Sequence, residues 1–97
     1  MRDCPDIMGK AKVIMFTPID GRHALTDDCK QIVAGTPIVP IAGLAICQHA
    51  SETVFYLFGC DKEWNTLTDT WHQTIQEAIE QAEFEYRGSK QTWEKKL

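Results

Sequence analysis

The run VFYLFGC at residues 54–60 constrains the fold more than any other part of the chain. Its β-branched and aromatic residues favour a strand. Alternation puts Tyr56 and Phe58 on one face and Phe55 and Leu57 on the other. Both faces are apolar, so the strand belongs in a sheet that needs cover on both sides. Helices can cover one side. The second is then an aromatic surface suited to an interface or a ligand groove.

Three further segments carry strand signals. Residues 11–19, AKVIMFTPI, form an apolar run ended by Pro18. Residues 37–49, PIVPIAGLAICQH, regain β character, but Pro37 and Pro40 cannot donate ladder hydrogen bonds, so the firm strand is 44–49. Residues 66–72, TLTDTWH, follow a hairpin loop at 61–65 in which Asp61 suits the first turn position and Asn65 tolerates the left-handed region. Two helices are expected. In residues 25–35, Thr26 can cap the start, Asp27 and Asp28 suit the first turn, and Cys29, Ile32 and Val33 share a face. Later, Thr74 and Glu77 form a capping box, Ile75, Ala78, Ile79, Ala82 and Tyr86 form an apolar stripe, and Gly88 ends the helix.

This pattern predicts an α+β fold: a twisted, mainly antiparallel sheet of about four strands with two helices on one face, in the order β-α-β-β-β-α. The strand bearing Trp71 and the helix bearing Ile75 are expected at the heart of the core. The 97 residues suit a single domain. Residues 1–10 read as a flexible polar leader, and residues 88–97 as a short tail able to add a strand around Trp93.

Charge and cysteine usage narrow the function classes. The net charge is −4, and the acidic excess lies in the C-terminal half. The chain lacks the Lys/Arg cluster that a phosphate backbone requires, so no nucleic-acid partner is expected. No apolar run approaches the roughly 18 residues of a membrane span, and the N-terminus has no apolar signal core. A cytoplasmic protein with no membrane partner is expected. Cys4, Cys29, Cys47 and Cys60 include no C-x-x-C pair and read as small buried hydrophobes.

Several residues invite a chemical reading. Cys47 and His49 share a strand face, but Cys60, the natural third ligand, falls about 16 Å further along if Cys47 lies opposite Phe55. Asp69 and His72, three apart on a strand, point to opposite faces. His23 reads as a turn residue beside Asp20. No nucleophile elbow or phosphate loop is present. No catalytic residue, metal site or cofactor is therefore expected.

The binding candidates are Tyr56, Phe58, Trp64, Asp69, Trp71, His72 and Phe84. Leu67, Asp69 and Trp71 alternate onto one face, and a covered Asp69 would need hydrogen-bond donors. Phe84 falls about 180° from Ile75 on the helix, amid Gln76, Glu77, Glu80 and Glu83. Trp64 falls near a hairpin tip. These features point to a non-enzymatic interaction module, a homodimer or a binder of another protein. An acidic inhibitor or immunity-type protein is one version, because acidic surfaces steer onto basic partners. The alternative is a small-molecule-binding protein or minimal enzyme with a pocket of Tyr56, Phe58, Trp71 and His72, in which Asp69 holds a cation or moves a proton.

Residues 55–86 combine an aromatic strand, C-D-x-x-W-N, T-D-T-W-H and an acidic amphipathic helix. This stretch resembles the C-terminal hairpin-helix unit of small uncharacterised bacterial proteins, some of which travel in mobile gene cassettes. The resemblance implies a hairpin followed by a helix. It implies no activity, cofactor or site residue.

Overall fold

The computed structural model describes residues 3–19, 24–25 and 41–96. The fold is α+β and its sheets are antiparallel throughout. The main sheet runs β1 (Ile7–Met8), β2 (Ala11–Pro18), β4 (Gly43–Gln48), β5 (Phe55–Cys60), β6 (Thr66–His72), and β8 (Glu94–Lys95) pairs with β2 beside β1. A second, two-stranded sheet joins β3 (Ala24–Leu25) to β7 (Tyr86–Arg87). The sheet is thus larger than the four strands expected, with six. Among the described residues there is one α-helix, α1 (Ile75–Glu85). The expected helix at 25–35, the Asp20-Gly21 turn, His23 and the proline-rich start of the 37–49 segment lie outside the described residues, apart from Leu25, which belongs to β3.

The additional strands come from segments that offer little periodicity. Residues 3–10 are not a free leader. Gly9, at φ 59, makes the tight turn that folds Ile7–Met8 back on Ala11 and Lys12. This hairpin buries Cys4 and Met8. At the other end, Glu83 accepts hydrogen bonds from the Gly88 and Lys90 N–H groups, at 2.8 and 3.1 Å, and so caps the short 3-10 turn at Ser89–Gln91. Thr92 Oγ1 then donates to Ser89 O, and its contact with the buried Thr17 Oγ1, 2.6 Å, ties the tail to β2.

The α1 start follows the capping logic. Thr74 Oγ1 accepts from Glu77 N–H at 3.0 Å, and the Glu77 carboxylate accepts from Gln73 N–H at 2.9 Å. The stripe seats Ala78 and Ala82 in full burial, with Ile75, Ile79 and Tyr86 beside them. These residues pack on Leu44, Ile46, Leu57 and Phe55, the helix-facing side of β4 and β5. At Gly59 a Cβ would collide with Thr68 Oγ1, which explains the glycine inside this strand.

The opposite side of the sheet has its own core. Ala11, Val13, Ala45, Cys47 and Cys60 point into it. Among the described residues it is closed by Cys4, Met8 and Trp64. The loop that delivers Trp64 is organised by Asp61. Its carboxylate accepts from the backbone N–H groups of Glu63 and Asn65, both at 2.9 Å, and from Asn65 Nδ2 at 3.1 Å. These bonds hold the Asp61 carboxyl below its ordinary value, the Asn65 backbone donor acting most strongly. The left-handed residue is Trp64, at φ 65, and not Asn65 as its tolerance suggested. A large side chain in that region is costly, on the order of 1–2 kcal/mol. Burial of the indole, edge-on to Phe16 at 5.9 Å, offsets the cost.

Two tryptophans therefore exchange their expected roles. Trp64, read as a hairpin-tip residue, is 6% exposed, whereas Trp71, read as the heart of the core, is 61% exposed. The register explains this. Tyr56 pairs with Trp71 and Phe55 with His72, so the helix covers the Phe55 face and Trp71 lies on the other. Cys47 pairs with Tyr56, one residue from the register expected, and shares one core with Cys60.

Two predictions follow from this packing. Trp64→Ala should cost the monomer about 3–5 kcal/mol in chemical denaturation at high dilution, whereas Trp71→Ala should stay within about 0.5 kcal/mol there; equal losses would refute the exchange. The thiols supply the second. Burial pushes Cys4 up to about 11, and Cys47 and Cys60 up to about 12, from an ordinary 9.0. Raised folded-state values favour folding while the thiols stay protonated, and that stability is lost as pH rises from 9 towards those values. The denaturation midpoint should fall above pH 9, and iodoacetamide should label these three cysteines only in denaturant.

Candidate interaction surface

The side of the sheet away from α1 is covered only in part. Its core closes over β2, β4 and the end of β5. Towards β6 it becomes an open aromatic face, where Tyr56 and Phe58 stack in parallel at 6.0 Å and 6°. His49, just beyond β4, meets Tyr56 edge-on at 5.3 Å and 83°. Across the ladder, Trp71 lies opposite Tyr56 and Asp69 opposite Phe58. The Tyr56 hydroxyl donates to Glu52 Oε2 at 2.7 Å. That acceptor pushes the phenol up from its ordinary 10.0, with Asp69 adding a smaller repulsion. Rings and carboxylates thus share one exposed surface.

Of the seven sequence candidates, four meet here: Tyr56, Phe58, Asp69 and Trp71. Trp64 belongs to the core. His72 pairs with Phe55 on the helix side, where its Nε2 contacts Thr70 Oγ1 at 2.8 Å. Phe84 lies on the outer face of α1, 52% exposed. The pocket of Tyr56, Phe58, Trp71 and His72 is therefore not formed, because the strand divides these residues between two faces. Asp69 is exposed rather than buried in a network of donors. Leu67 leaves the expected alternation: Gly59 pairs with Thr68 and Cys60 with Thr66, so Leu67 is the extra residue of a bulge, 42% exposed. Sequence reasoning missed Glu52 as a member of this surface. The signal was its position in the turn four residues before Tyr56.

The two edges of the sheet differ. The β2 edge is occupied by β1 at Ala11 and Lys12 and by β8 at Met15 and Phe16. On the other side, β6 is seven residues long and no described strand pairs with its outer edge. Open edges of this length are templates for another chain, and proteins usually blunt them with lysine, proline or short strands. The β6 sequence, TLTDTWH, has neither lysine nor proline; its only fixed charge is Asp69.

Other chemistry is limited. Among the described residues no three His, Cys, Asp or Glu side chains converge to hold a metal ion. No described helix is long and apolar enough to cross a membrane. A recess below the end of α1, lined by Leu44, Gly59, Thr68 and Tyr86, holds about 80 Å³. That is well under the roughly 300 Å³ of a small ligand pocket.

The Tyr56–Glu52 pair gives a direct check on this geometry. Glu52→Gln should lower the Tyr56 phenol towards 10.0, seen as one of the chain's two tyrosines shifting in a spectrophotometric titration. An unchanged titration would separate the two side chains in solution. No protein-family model, curated protein or solved structure matches this chain.

Proposed function

We propose that the protein is a non-enzymatic interaction module that binds polypeptide through β6 and the aromatic face beside it, with a second copy of itself as the first partner. The observation that carries this reading is the contrast between the two sheet edges, one blunted by two short strands and the other, seven residues long, paired by no described strand. Antiparallel pairing of β6 with its own copy extends the sheet and buries Trp71. Centring the pair on Asp69 would oppose two carboxylates, which is destabilising. Centring it on Thr70 instead sets Asp69 opposite the partner's Trp71. The three buried, unpaired thiols Cys4, Cys47 and Cys60 suit a reducing compartment, so we assign its action to the cytoplasm.

Light scattering on a sizing column at several concentrations tests the reading. A dimer is expected, and Leu67→Lys with Trp71→Lys should return it to monomer with the circular dichroism unchanged, because lysine guards an edge strand. A monomer at every concentration, or a dimer indifferent to both lysines, would overturn it.

A further inference from the structure

The geometry points to a second, separate binding site: a cleft at the β1–β2–β4 end of the sheet that takes a small amphipathic carboxylate. The cleft encloses about 440 Å³, within the roughly 300–1,000 Å³ typical of small-ligand pockets. It lies where the cover of α1, which packs chiefly on β4, β5 and β6 and meets β2 around Met15, thins towards β1. Where the helix ends its cover, the register lines up Ile7, Lys12 and Gln48 across three neighbouring strands. Lys10, from the Gly9 turn, and Ile14, the extra residue of the β2 bulge, complete the walls with His49.

The lining has two halves. Ile7, 60% exposed, and the half-buried Ile14 give the cleft an apolar surface. Lys10 and Lys12 give two ammonium groups, and no carboxylate among the described residues pairs with either. The one acid of the cleft, Asp6, is engaged by Lys96 Nζ at 3.4 Å. Two cations that no described carboxylate pairs, beside the exposed Ile7 and the half-buried Ile14, match a ligand with an apolar body and an anionic head. A carboxylate meets both lysines, and an alkyl chain of moderate length covers Ile7 and Ile14. A cationic or doubly polar ligand would leave one half of the lining unmatched.

Octanoate is the probe, followed by two-dimensional amide NMR and calorimetry on the whole chain, with 1-octanol and octyltrimethylammonium beside it. Octanoate should saturate one site and shift the amides of residues 6–14 and 48–50. Lys10→Gln with Lys12→Gln, both exposed positions, should weaken it by about fivefold or more, with the fold unchanged by NMR. Octanol should bind more weakly and the ammonium compound least. No saturation at millimolar octanoate, equal binding of octanol, or shifts confined to β5 and β6 would overturn the site. No residue of β6 lines the cleft, and of its lining His49 alone touches the aromatic face, through Tyr56, so octanoate binding and its dependence on Lys10 and Lys12 are read apart from the oligomeric state.

Discussion

The fold depends on β4 being buried on both faces. Five of its six residues are buried, and it lies between β2 and β5. Leu44 and Ile46 face the helix, while Ala45 and Cys47 face the core closed by Trp64. A strand in this position leaves no face to water, so everything else is arranged to cover it. The helix supplies one layer. The other layer is improvised from the N-terminal hairpin and a strained tryptophan. The strain at Trp64 is tolerated because that ring closes a core that no described helix reaches.

The sequence made the large elements legible and the small ones obscure. The strands at 11–18, 43–48, 55–60 and 66–72 and the Thr74-capped helix have long periodic runs or a capping box, and local physics determines them. Ile7–Met8 and Glu94–Lys95 are two-residue strands that exist only because β2 offers an edge, and two residues carry no period. The inner and outer faces of β6 could not be read locally either. A shift of one residue in register exchanges the two faces, so Trp71 and His72 trade burial on a feature set by the partner strand. Tyr56, Phe58, Asp69 and Trp71 were legible as candidates because their alternation was. Lys10 and Lys12 were not, because their role arises only once a supposed leader folds into a hairpin.

The two surfaces have opposite chemistry. The β5–β6 side is aromatic with the carboxylates Asp69 and Glu52, and the β1–β2 side is aliphatic with the ammonium groups of Lys10 and Lys12. Both arise where cover stops: one where the N-terminal layer ends, the other where α1 ends. Among the described residues a single helix of eleven residues faces a six-stranded sheet, and the two proposed surfaces lie at the margins it leaves.

The Thr17–Thr92 contact joins side chains 75 positions apart, and β8 completes the same edge of β2. This closure has a kinetic meaning. Hairpins β4–β5 and β5–β6 can form as soon as their residues exist, but the β2 edge must wait for chain that lies far downstream. During that interval β1 already covers Ala11 and Lys12, but the β2 edge at Met15 and Phe16 stays open, so the nascent protein is more adhesive than the finished one. The tail acts as the last fastening of the fold, and its timing sets how long the growing chain needs protection from its neighbours.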